Sequence, residues 1–120
     1  MEHRWHHRKP LNHSVIIYRQ GCAIAICAVK NISLGGIALQ SGPLGFPRNT
    51  PVEIELQLDH ALHMRRHHLP ACVVYHRNGT TGLAFAALSD STRAALRRMV
   101  ATSTDRAIPE TAAPVLLLGP

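Results

Sequence analysis

Two short motifs carry the residue types most suited to chemistry. In residues 1–10, Met-Glu-His-Arg-Trp-His-His-Arg-Lys-Pro, Arg4 and Arg8 stand four apart in a segment without hydropathic periodicity. Each guanidinium offers paired N–H donors that match phosphate oxygens or the O6/N7 edge of a guanine, so two on one arm can close over a dianion. An ordinary solvated basic tail has the same look. The second motif is Asn31-Ile32-Ser33-Leu34-Gly35-Gly36. Asn31 and Ser33 are two apart, so in extended chain they point to one side and can address one planar base edge. Asn31 would accept from ring N–H groups, and Ser33 would donate or accept. Gly36 lets the backbone approach a ligand closely or take a positive φ. Asn, Ser and Gly also form turns for their own reasons, so the string reads equally as a plain corner.

The remaining reactive side chains carry less. There are nine histidines, with His60, His63, His67 and His68 close in sequence. A zinc site needs three or four converging ligands, commonly with Cys or carboxylate, and no cysteine lies near. A solvated, weakly basic loop is the simpler reading, and no metal is expected. Cys22 and Cys27 are five apart and face opposite sides of a regular strand, so they cannot chelate together. Glu53 and Glu55 fall on the wet face of their strand and receive no acid–base role. Arg65-Arg66 and Arg97-Arg98 read as solvated faces. Trp5 could stack on a base or pin the arm to the body of the protein. No nucleophile has a recognisable base near it; no catalytic residue, no enzyme activity and no cofactor are expected.

The elements that must position these residues are mostly short strands. The chain has 120 residues with a formal net charge of +6, enough for one domain with its own core. Hydrophobic residues make up 46% and aromatics only 4%, so the core must be aliphatic. No apolar run approaches the roughly 18 residues of a membrane span. The basic N-terminus lacks a following apolar stretch, so no secretory signal is expected. Three cysteines without CxxC spacing make no disulfide framework, and a cytoplasmic location is the default. The positive balance favours an anionic partner.

Strands are expected at 13–19, 22–29, 37–40, 52–58, 71–77 and 83–87. The strand at 52–58 is the clearest, since Val52, Ile54, Leu56 and Leu58 alternate with Glu53, Glu55 and Gln57. Residues 41–51 read as loop and 60–68 as a His-rich connection. Asn78-Gly79 predicts a hairpin. A helix is expected over 93–101 with Asp90 as its N-cap. Residues 102–120 read as a flexible tail beyond a domain of 1–101. Six short strands and one C-terminal helix predict a mainly β, small antiparallel barrel.

Taken together, Arg4-x-x-x-Arg8 and the Asn31-x-Ser33-x-x-Gly36 corner resemble the PilZ domain family. Gly82-Leu83-Ala84-Phe85 resembles the Gly-x-x-Phe of that family's last barrel strand, and residues 90–100 its following helix. The likeness implies a six-stranded antiparallel split barrel and a bacterial receptor for cyclic di-GMP. Arg4 and Arg8 match the family's phosphate- and guanine-gripping arginines, and Asn31, Ser33 and Gly36 match its second gripping corner. His3, Trp5, Lys9 and Gly35 are candidates for further contacts. Asn31 stands where the family often has Asp, and a neutral acceptor binds N–H donors less strongly. His3 stands where an arginine in related domains favours a stacked ligand pair, so one or two ligands stay open.

The resemblance further implies an adaptor that changes conformation on binding and signals through an output protein, in motility, pili, exopolysaccharide or biofilm control. A homodimer stays open. The alternatives are a PilZ-like interaction module without nucleotide binding, or a general nucleic-acid-binding barrel. Specific DNA or RNA binding is disfavoured by the scarcity of aromatic stacking platforms. A metal-dependent protein using the histidine loop is the most distant reading.

Overall fold

The period-two pattern of residues 52–58 is realised as one wall of a closed barrel. The computed structural model describes residues 9–10, 13–60, 63–102 and 114–117. The elements run β1 Lys9–Pro10, β2 Ser14–Arg19, β3 Cys22–Ile32, β4 Gly36–Gln40, β5 Pro51–His60, β6 His63–Arg77, β7 Thr80–Phe85, α1 Asp90–Thr102 and β8 Val115–Leu116. Antiparallel pairing runs β3-β2-β5-β6-β7-β4, and β4 pairs back onto β3. Six strands thus close on themselves, which removes most of the exposed edge an open sheet would carry.

Alternation sends one residue in two inward. Val15 and Ile17, Val29 and Ile32, Ile37 and Leu39, Ile54 and Leu56, Leu69 and Val73, and Leu83 are all at most 2% exposed. The interior is aliphatic, as the composition requires, and α1 adds Ala95, Leu96 and Met99 to the same cluster. Two tight hairpins set the register. Asn78 and Gly79 both have positive φ, 53° and 76°, as a two-residue turn between right-twisted strands demands. Gln20 and Gly21 do the same between β2 and β3, at 53° and 81°.

Four expectations change. The helix cap is Ser89, not Asp90: Ser89 Oγ accepts the Thr92 N–H at 3.2 Å, and its carbonyl accepts from Arg93 N–H at 2.9 Å. Asp90 is the first helical residue instead, where its charge favours the N-terminal dipole. Residues 60–68, read as a connection, are mostly strand. Pairing of β5 with β6 continues from Leu56↔His67 to His60↔His63. Strand β5 supplies a ready backbone ladder there, so pairing overrides the weak β preference of the His and Arg side chains.

Glu55, read as a wet-face residue, has a side chain only 11% exposed. It accepts from Tyr18 Oη at 2.9 Å and lies 3.1 Å from His68 Nε2 and 3.3 Å from an Arg66 nitrogen. Neighbouring strands deliver all three groups to one spot, and the bond to Glu55 is the main cause raising the Tyr18 phenol pKa. Finally, part of the segment expected as a flexible tail lies on the barrel: Val115 and Leu116 pair with Ile26 and Ala25 of β3. Residues 103–113 and 118–120 of that segment lie outside the described residues.

Candidate functional site

The corner at residues 31–36 follows from an extra residue in β3. Val29 opposes Leu39 and Asn31 opposes Ala38, leaving Lys30 bulged between them. Strict alternation from Val29 would turn Asn31 into the core. The bulge shifts the phase, so Lys30 is exposed, Asn31 is half-buried and Ile32 is fully buried.

Past Ile32 the chain reverses through Ser33 to Gly36. The Ser33 hydroxyl accepts the N–H groups of Gly35 and Gly36, each at 3.2 Å, and lies 3.4 Å from the Gly36 carbonyl. The Ser33 amide donates to the same carbonyl at 2.9 Å. Ser33 is 3% exposed, so its hydroxyl holds the corner's own backbone. Of the two reasons offered for glycine at 36, positive φ does not apply. The need is close approach to another strand: a Cβ there would run into the Leu83 carbonyl of β7. The Gly35 carbonyl accepts from Phe85 N–H at 2.9 Å, tying the corner to the end of β7.

The arm's last residues reach this corner. Strand β1 pairs Lys9 with Ile32 and Pro10 with Asn31. Arg4 and Arg8, together with His3 and Trp5, lie outside the described residues.

Sequence reasoning missed an aromatic neighbour. Register places Asn31, Ala38, Gly82 and Tyr75 in one row across β3, β4, β7 and β6. The Tyr75 ring lies over Gly82, where any Cβ would collide with it. Arg77 Cζ sits 5.0 Å from the centre of that ring, a cation–π arrangement. A lone glycine inside a strand was the available signal, since it marks close approach of another group.

Among the described residues, no three His, Cys, Asp or Glu side chains converge as metal ligands would. All three cysteines are free thiols, with Cys22 exposed and Cys27 buried; the strand between them is not regular as the spacing argument assumed, because Ile24 is an extra residue in the β2–β3 ladder. Among the described residues, no helix is long and apolar enough to cross a membrane.

A family model described as the PilZ domain matches residues 2–102, most of the chain. The chain belongs to the PilZ domain family. No curated protein matches it. Solved structures share its fold. The PilZ domain of CeSA from a cellulose-synthesizing bacterium is 25% identical at a TM-score of 0.63, over 78% of this chain and 94% of that one. The Bacillus subtilis inhibitor of motility MotI/DgrA is 21% identical at 0.66, over 85% of this chain and 54% of that one. The PilZ domain of Escherichia coli YcgR, solved with c-di-GMP, is 14% identical at 0.60, over 85% and 92%. In this PilZ domain the Asn-x-Ser-x-x-Gly motif is thus a bulged, internally bonded corner, flanked by the end of the N-terminal arm.

Proposed function

We propose that this PilZ domain is a cyclic di-GMP receptor that grips the dinucleotide between residues 31–36 and the N-terminal arm. The observation that carries the reading is the register Lys9↔Ile32 and Pro10↔Asn31, which brings the arm's end beside the corner. Arg8 is one peptide unit from Lys9, about 3.8 Å between Cα atoms, and Arg4 precedes it by four residues. Their guanidinium forks suit two phosphodiesters and guanine O6/N7 edges. Asn31, turned outward by the bulge, faces a base edge; Ser33 and Gly36 keep the corner in the shape that presents it. Tyr75 with Arg77 offers a stacking face on the same outer wall. His3, Trp5, Lys9 and Gly35 are the further contacts.

A dinucleotide held between the arm and the corner changes the surface an output protein meets. Free thiols suit the reducing cytoplasm in which such a messenger acts. The c-di-GMP bound to the YcgR domain and the motility role in the MotI name favour a signalling role in motility or surface attachment.

Calorimetric titration with cyclic di-GMP, run on wild type and Arg8→Ala with GTP as competitor, tests the reading. Saturable wild-type binding that Arg8→Ala weakens by about 2–5 kcal/mol is expected, and the fitted ratio gives one ligand or two. Absence of heat and of competition at high micromolar ligand would make the domain an interaction module. Strong salt dependence without nucleotide selectivity would make it a nucleic-acid binder.

A further inference from the structure

Helix α1 has two unlike faces. Thr92, Ala95, Leu96 and Met99 are buried, while Asp90, Ser91, Arg93, Ala94, Arg97 and Ala101 are exposed. The buried face fixes the helix on the barrel. Ala95, Leu96 and Met99 join the core cluster, and the Thr92 hydroxyl lies 2.9 Å from His67 Nδ1 of β6. Arg93 and Arg97 are thus presented to solvent from a rigid support.

Their placement does nothing for the helix itself. Arg93 and Arg97 stand one turn apart, and like charges at that spacing repel. Arg93 is the fourth helical residue, close to the end that favours anions, while the last turn, which favours cations, has no basic residue. Nor are the two charges answered within the described part of the molecule. Ion pairs among the described residues go to Glu53 and Glu55 of β5, from Arg66 and His68. Arg66 shows the contrast: it is as open to solvent, at 70% exposure, yet it meets the Glu55 carboxylate at 3.3 Å. Arg98 is exposed as well, with a contact of its own.

We propose that the outer face of α1 around Arg93 and Arg97 is a docking site for an acidic segment of another protein, with carboxylates one helical turn apart. Side chains one turn apart lie about 5–6 Å from each other at Cβ. Each guanidinium fork can then take one carboxylate in a paired, charge-assisted contact. Three other occupants fit worse. A second copy of this chain, α1 to α1, sets arginine against arginine, and like charges across an interface cost affinity. A lipid surface needs large apolar or aromatic side chains to insert, and beside its charges this face offers Ser91, Ala94 and Ala101. A nucleic acid draws its affinity from many phosphate contacts or from aromatic stacking, and the face supplies neither. The face lies on α1 and not at residues 31–36, and its test involves no nucleotide, so either reading can fail without the other.

The experiment is fluorescence anisotropy at low salt with a labelled alanine-based helical peptide carrying glutamates four residues apart, titrated with the full chain. Glutamine in place of each glutamate makes the control peptide. Wild type should bind the glutamate peptide and not the glutamine one. Arg93→Gln/Arg97→Gln should weaken binding about ten-fold, as two surface ion pairs are lost together. It should melt no lower than wild type, because a repulsion is relieved. Arg19→Gln/Arg48→Gln removes the same charge elsewhere and should leave binding within about two-fold of wild type. Arg93→Glu/Arg97→Glu should lose the glutamate peptide and gain a lysine one, and its carboxylates suit the start of a helix. Equal losses in the two glutamine variants, or failure of the charge swap, would overturn the proposal. So would tighter binding, with the same arginine dependence, to a DNA duplex or to vesicles of anionic lipid. A ten-fold gain in peptide binding by Asp105→Asn/Glu110→Gln would assign the face to the chain's own carboxylates and overturn it too.

Discussion

The two ends of β3 use one strand in opposite ways. At the C-terminal end, Asn31 and Ile32 are paired on both sides, to β1 and to β4. Ser33 then holds two amides with a single hydroxyl, and Gly36 presses against the backbone of β7. At the N-terminal end, β2 covers one edge while β8 covers the other over two positions. A strand longer than its neighbour leaves edge behind, and local stability follows how many of its backbone groups find partners. The end proposed to read a ligand is over-determined; at the other end, among the described residues, β8 pairs with β3 at two positions.

The largest effect belongs to the arm. Arg8→Ala should cost about 2–5 kcal/mol of cyclic di-GMP binding in calorimetry. Its melting behaviour should stay within about 0.5 kcal/mol of wild type. A comparable loss of stability would mean that the arm holds the corner rather than the ligand. Gly36→Ala should destabilise by about 1–3 kcal/mol in urea melts, because the Leu83 carbonyl is backbone and cannot rotate away. A neutral result would remove the rigid half of the comparison. Ser33→Ala leaves the Gly35 and Gly36 amides without their acceptor and should cost about 1–2 kcal/mol. It should also weaken nucleotide binding without abolishing it, since the hydroxyl shapes the corner.

The smallest effects lie toward the other end. Val115→Ser should change stability by no more than about 0.5 kcal/mol, as its side chain is mostly in water. Cys27, buried at 0% exposure midway along β3, has its thiol pushed up from 9.0 to about 11 by desolvation. The unfolded chain releases that proton first, so stability should decline as pH rises from 9.0 toward about 11. Cys27→Ala should flatten this slope in pH-dependent melts. At pH 8, alkylation followed by mass spectrometry should find exposed Cys22 modified and Cys27 untouched. Labelling of Cys27 would show that β3 opens far enough to expose its core face.

Much of this was legible in the residues. Alternation at 52–58 marked β5, Asn78-Gly79 marked the β6–β7 hairpin, and the aliphatic composition described the core. The histidine-rich stretch was not legible as strand, because its ladder partner β5 lies in a different part of the chain. Glu55 looked solvated because Tyr18 and His68 reach it from two other strands. Tyr75 was missed for the same reason: nothing in its local sequence shows that it covers Gly82 from across a strand pair.

By itself, then, the sequence determined the strand content, the barrel class and the two motifs, because hydropathic period, turn chemistry and residue type are local properties. Only the tertiary structure decided which way Asn31 faces, why residue 36 must lack a side chain, and where the tail lies. Those depend on an unpaired Lys30 in the β3–β4 ladder, on the Leu83 carbonyl, and on an edge that β4 is too short to cover. Each is a relation between backbones distant in sequence, and register between strands comes into being only when the barrel closes.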